Sequence, residues 1–228
     1  MSKATGKPAS IEEVQGLIQS IKDTKEALNG DQRLAKAKFK AEIFINQLKD
    51  LNNAQRVDSI KQANDTDNLK DLSQIVSTAS DLNNSMSELK AKLKETVNPV
   101  KSSINYINAD YDLKRQFNKA VKDAREALSK TKGANLNERD IQGLSQAIDS
   151  TKDALNGEQR LAEAKEKSKQ FIKQLDTLNN AQNNYLTNEI NKSDNIKDIT
   201  NIVDNASSLN DAMKDLRDTV AQLNQSTK

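Results

Sequence analysis

Residues 69–97, LKDLSQIVSTASDLNNSMSELKAKLKETV, place Leu69, Leu72, Ile75, Val76, Ala79, Leu82, Met86, Leu89 and Leu93 at steps of three and four with no Gly or Pro among them. That spacing gathers the apolar side chains onto one stripe of an α-helix, whereas a strand would need alternation in steps of two. An unbroken helix from Asn68 to Val97 would be about 45 Å long at 1.5 Å per residue, more than a compact three-helix bundle requires. A helix shared by two consecutive modules is therefore expected. Asn98 is expected to cap a new helix, with Pro99 at its first position, where the missing N–H costs nothing.

Outward from this stretch the chain nearly repeats itself. A shift of 127 positions lays Lys25-Glu26-Ala27-Leu28-Asn29-Gly30 on Lys152-Asp153-Ala154-Leu155-Asn156-Gly157, and between Gln15 and Leu89 40 of 75 positions are identical without a gap. Successive copies of one unit are the signature of an array of stacked modules, which points toward structural or binding work.

The remaining segments read as helices too. Ser10-Ile11-Glu12-Glu13 has capping-box form and opens an apolar series through Val14, Leu17, Ile18, Ile21 and Leu28. Asn29-Gly30 tolerates positive φ and is expected to close that helix before a second one, with Leu34, Ala37, Ala41, Phe44, Leu48 and Leu51 on its buried face. A short helix from Ala54 to Ala63 follows, and Asn64-Asp65-Thr66-Asp67 is expected to cap the long one. Past the turn Asn108-Ala109-Asp110, a helix over 112–130 buries Leu113, Phe117, Ala120, Val121, Ala124 and Leu128. Gly133 is the expected helix stop and Asn137 the next cap. Helices are then expected over 138–155, 158–179, 181–191 and 195–223. The fold class is all-α: tandem antiparallel helical bundles stacked end to end into an elongated rod with long shared helices.

Composition excludes most chemistry. With no His and no Cys in 228 residues the usual metal ligands, near-neutral acid–base groups and disulfides are missing. Hydrophobic residues make up 35% and aromatics 3%, a supply suited to slim cores. The 35 basic and 33 acidic residues alternate in sign, without a block that would suit nucleic acid or a membrane surface. No apolar run is long enough to span a bilayer, and residues 1–9 lack the apolar core of a signal peptide, so they read as a tail or linker. No cofactor is expected, and slender bundles offer an enzyme no concave pocket.

Individual residues read mostly as structure. Phe44 and Phe171, equivalent by the repeat, are expected in the core, as are Met86 and Met213. Tyr106 and Tyr111 border a turn, where a ring packs and its hydroxyl stays wet. Glu12 and Glu13 favour a helix start and do not form a catalytic pair. Asp65-Thr66-Asp67 lacks the Gly and distant Glu of a calcium loop, and its counterpart Lys192-Ser193-Asp194 has one acid fewer. No partner-binding residue stands out, because each polar face mixes Lys, Asp, Asn and Gln.

Two motif sets carry a family resemblance. Ile107-Asn108-Ala109-Asp110 with Asn118, Ala120 and Val121, then Lys130-Thr131-Lys132-Gly133-Ala134-Asn135 and Ala154-Leu155-Asn156-Gly157, resembles the FIVAR module. Gln32-Arg33-Leu34-Ala35 through Leu51-Asn52-Asn53-Ala54-Gln55 to about Leu89, and again Gln159 to about Leu216, resembles the GA-type module. The alternation is similar to the repeat region of the giant staphylococcal extracellular-matrix-binding surface proteins. On that resemblance 1–9 is a tail, 10–30 the last helix of a truncated FIVAR module, 31–97 a GA-type module, 98–157 a FIVAR module, 158–224 a second GA-type module and 225–228 a tail. The resemblance implies an extracellular, cell-wall-associated adhesin segment that binds host matrix, notably fibronectin, weakly per module and by avidity, while acting as a rod-like spacer. A purely mechanical spacer and a serum-albumin-binding GA module are the alternatives. Albumin fits poorly, because Ile45 to Val97 holds no Phe, Tyr or Trp and the second module offers only Tyr185.

Overall fold

The computed structural model describes residues 9–226, and among them every regular element is a helix. The expected tail residues 1–8 and 227–228 lie outside the described residues. Contacts divide the chain into two compact units, Met1–Asn84 and Ser85–Lys228.

The first unit holds α1 (Ile11–Ala27), α2 (Gly30–Gln47), α3 (Asn53–Asp65) and the start of α4 (Leu69–Lys101). Local sequence sets each start. The Ser10 hydroxyl accepts from the Glu13 amide while the Glu13 carboxylate accepts from the Ser10 amide, a complete capping box. Asn52 and Gln55 make the same reciprocal pair at α3, here fully buried. The long helix is capped by Asn68 rather than by the residues before it: its side chain accepts from the Asp71 amide at 2.8 Å. Thr66 instead closes α3, donating its amide to the Gln62 carbonyl. Ala41, Ile45, Leu51, Ala63, Leu72, Ala79 and Leu82 form the buried interior of this unit.

The second unit contains the rest of α4, then α5 (Ile104–Ile107), α6 (Tyr111–Ala127), α7 (Glu138–Asp153), α8 (Gly157–Lys173), α9 (Asn180–Lys192) and α10 (Ile196–Ser226). Met86, Leu89, Leu93, Val97, Phe117, Ala120, Val121, Ala124, Ile141 and Ile148 are buried here. Helices α8, α9 and α10 bury a second core around Leu161, Ile172, Leu178, Leu186, Ile190, Ile199 and Ala206, with Met213 partly buried against it.

Five further expectations need correction. Helix α4 is continuous through Asn83-Asn84 as expected, but it also passes through Pro99 to Lys101, so Asn98 does not cap a new helix. Pro99 removes one ladder bond in the last turn, where few remain to lose, and Ser103 is the true cap of the next helix, accepting from the Tyr106 amide. Phe44 and Phe171 are 39% and 37% exposed, and the neighbouring Ile45 and Ile172 fill the interior instead. A stripe through Ala41 can continue to 44 or to 45, and the structure turns position 45 inward and leaves the ring at the rim. No described residue has positive φ, Gly included, so neither Gly30, Gly157 nor Gly133 works as a left-handed helix stop. Helix α6 already ends at Ala127, with Leu128 still in helical conformation as its cap. Finally Tyr111 is 78% exposed, so of the two turn tyrosines only Tyr106 is packed.

Candidate functional site

The most constrained surface feature is the turn around α5 where it meets the start of α8. Gly157 is buried, and a Cβ built on it would lie 2.1 Å from the Asn105 carbonyl oxygen and 2.7 Å from the Ala109 nitrogen. The glycine is there because backbone approaches backbone, not because its own dihedrals demand it. Asn156 accepts from the Asp110 amide at 3.0 Å and donates to the Asp110 carboxylate at 2.7 Å. The Arg160 guanidinium reaches the same carboxylate at 3.0 Å and also donates to the Asn108 carbonyl. The Glu158 amide donates to the Asn105 side chain.

At the centre sits Asn108, a buried polar residue with every group used. Its Nδ2 donates to the carbonyls of Ile104 and Asp194 at 3.0 and 2.9 Å, and its Oδ1 accepts from the Ile196 amide at 2.8 Å. A side chain of α5's turn thereby satisfies orphan backbone groups at the start of α10. Tyr106 braces the turn from the other side: its ring meets Phe117 edge-on at 5.9 Å and its hydroxyl hydrogen-bonds Asn118. Lys114 lies over that ring and donates to the Ile107 carbonyl.

The other residues singled out from the sequence are scattered. The Glu12 carboxyl is held below the usual range by its own backbone amide and by the Ser10 hydroxyl, which is the electrostatics of a helix start. Tyr185 is exposed on α9, and among the described residues no aromatic ring lies within contact range of it. Phe39 and Ile43, one turn apart on α2, are both exposed, and their counterparts by the repeat are Glu166 and Gln170. Sequence reasoning passed over this pair because it fell between the positions assigned to the buried stripe. The open rim of Phe44 borders a shallow groove lined by Ala37, Ala41, Leu69, Leu72 and Val76. Among the described residues no group of three or more acidic side chains is placed to hold a metal ion, and no helix is long and apolar enough to cross a membrane.

Tandem helical modules, with one buried core in the first unit and others in the second, define a helical repeat protein. Comparison with known proteins gives the particular family. The GA module model matches residues 31–85 and 158–212, and the FIVAR domain model matches residues 85–156. The chain belongs to the family of GA and FIVAR repeat proteins. These matches meet at residue 85, in the middle of α4, where the contacts also divide the chain.

Among similar curated proteins is the extracellular matrix-binding protein ebh of Staphylococcus aureus strain MW2, 37% identical over 217 residues. That alignment takes in 95% of this chain but 2% of the relative. The extracellular matrix-binding protein EbhA of strain Newman is also 37% identical over 95% of this chain, which spans 6% of its length. A crystal structure of a domain of S. aureus EbhA superposes with a TM-score of 0.79 at 27% identity, covering 87% of this chain and 80% of that one. A structure from work on Embp-mediated adherence of Staphylococcus epidermidis to fibronectin superposes with a TM-score of 0.50 at 26% identity, over 55% of this chain and 98% of that one.

Proposed function

We propose that this chain is a segment of an extracellular, surface-displayed bacterial adhesin that holds host matrix, with fibronectin as the partner, through weak contacts repeated along an array. The observation that carries the reading is the tandem alternation of GA and FIVAR modules, in a chain whose relatives are named for matrix binding and one of whose structural neighbours comes from a protein linked to fibronectin adherence. The module boundaries read from the sequence, at 31, 98 and 158, belong to this proposal.

The physical argument for weak single contacts is the absence of an aromatic hot-spot cluster: the exposed rings among the described residues are dispersed over Phe39, Phe44, Tyr111, Phe171 and Tyr185. Linked sites overcome that weakness. Each further engagement is effectively intramolecular, and avidity exceeds single-site affinity by about 10²- to 10⁴-fold without a new contact. The test compares this chain with versions carrying more modules on sparse and dense immobilised fibronectin. Retention is expected to rise steeply with module number on the dense surface only. Equal retention for all module numbers would mean that the repeats act as a spacer with no ligand of their own.

A further inference from the structure

The chain as a whole is almost neutral, yet one cleft in the second unit is not. A depression of about 600 Å³ between the end of α4 and the C-terminal half of α6 is lined by Lys101, Asn118, Val121, Lys122, Arg125, Glu126, Ser129 and Lys132. Four cations against one acid give this lining a net charge of +3, more than the +2 of the entire chain. Helical spacing explains the gathering: Asn118, Lys122, Arg125 and Ser129 recur at steps of three and four on α6 and the turn after it. Lys101 is brought in from a different helix and Lys132 from the following turn.

Pairing separates these cations from the others on α6. Arg115 pairs with Asp112, Lys119 with Asp123, and Lys114 caps a carbonyl. Lys122 reaches Glu126 at 3.6 Å, with both side chains largely exposed, a contact worth little in water. Lys101, Arg125 and the Lys132 ammonium have no acidic partner among the described residues. Unpaired like charges converging on a concave surface focus a positive field that is relieved by a bound anion.

We propose that this cleft binds a polymeric oxyanion, a chain bearing repeated sulfate or phosphate groups. The rest of the lining argues against a protein partner as the occupant. A protein hot spot requires an apolar or aromatic anchor, and here the only apolar side chain, Val121, is already buried beneath the cleft. What remains is suited to a hydrophilic chain: one guanidinium for bidentate contact, three ammonium groups and the Ser129 hydroxyl, with the Asn118 amide held beside them by the Tyr106 hydroxyl.

The test titrates the whole chain with a heparin-derived oligosaccharide, with linear polyphosphate, with poly-glutamate and with neutral dextran. It uses calorimetry at several salt concentrations and follows backbone amide shifts over 118–132. At least one of the sulfated and phosphorylated polymers is expected to bind, dextran is not, and log K is expected to fall with log[salt] at a slope of about −3, as for four contacts on a flexible strand. Which of the two polymers binds distinguishes a glycan source from a phosphate source. The variant K101E/R125E/K132E is expected to weaken binding by about tenfold or more. The variant K173E/K197E/K214E, with the same change in total charge, is expected to leave affinity within about threefold. Circular dichroism verifies that both remain folded. Binding of neither oxyanion polymer at low salt, equal losses in the two triple variants, or tighter binding of poly-glutamate than of either polymer would overturn the proposal.

Discussion

Residues 28–34 and 155–161 differ at one position in seven, Asp31 against Glu158, yet Leu28 is 74% exposed and Leu155 7%. The difference is made by neighbours. Around Gly157 the α5 turn seals the helix start, whereas a Cβ on Gly30 would meet nothing within 4 Å. The same holds one helix earlier: Ile141 and Ile148 of α7 are buried, while their counterparts Val14 and Ile21 on α1 are exposed. A module sequence therefore specifies half of a junction, and the other half comes from whatever segment packs against it. The glycine, the Asn and the Arg are present at both places, but they are used at one.

The largest effect expected from this comparison lies at the glycines. Gly157→Ala forces backbone atoms of Asn105 and Ala109 apart, and should destabilise the second unit by about 2–3 kcal/mol. Gly30→Ala enters open space on a helix and should be neutral or stabilising by up to about 1 kcal/mol. Urea unfolding of the two variants measures both, and equal effects would mean that the junctions are alike in solution.

Asn108→Ala sharpens the same contrast. It leaves the Ile196 amide and the Asp194 carbonyl without the partners they have now, a loss of about 2–3 kcal/mol. Hydrogen exchange should show faster opening at the first turn of α10 in this variant, with no change at the first turn of α4. Uniform acceleration along the chain would indicate global unfolding instead of a local lock.

How much of this could be read beforehand depends on whether the cause is local. The capping pairs Ser10–Glu13, Asn52–Gln55 and Asn137–Asp140 are three residues apart, and the cap at Asn137 and the box at Ser10 are legible directly. The unbroken helix across Asn83-Asn84 is equally plain, since nothing in it breaks a stripe. The exposure of Val14 and Ile21 follows from comparing the repeats, because their copies Ile141 and Ile148 lie on α7, which packs against α6, and among the described residues no helix packs on α1 in that way. What stayed hidden is nonlocal. Gly157 looks like a helix stop until Asn105 is seen 52 residues earlier in the chain pressing on it. Phe44 and Ile45 satisfy the same periodicity, and only the packing of the neighbouring helices decides which is buried. The cationic cleft is invisible along a chain of alternating charges, because Lys101 joins Arg125 and Lys132 only after α4 and α6 have packed.

The smallest expected effect concerns a difference between the two GA modules themselves. Arg56 in the first donates from its two terminal nitrogens to the carbonyls of Ile45, Asn46, Leu48 and Leu51, gathering the orphan acceptors at the end of α2. Its counterpart by the repeat is Asn183, whose Nδ2 reaches only the Leu178 carbonyl, at 3.4 Å, and whose buried Oδ1 has no partner. The helix it should close ends one residue earlier, at Lys173, with Gln174 still helical, whereas Leu48 in the first module is extended. Charge-assisted donors to four carbonyls outweigh one long neutral bond, and a guanidinium would also replace the unsatisfied oxygen. Arg56→Asn should therefore cost the first module about 1–2 kcal/mol, and Asn183→Arg should stabilise the second by about 1 kcal/mol. Thermal unfolding of the two variants measures the pair of shifts. Their opposite signs are the critical result: if Asn183→Arg destabilises, the end of α8 does not offer the carbonyl geometry that α2 does, and the two modules differ in backbone and not only in this side chain.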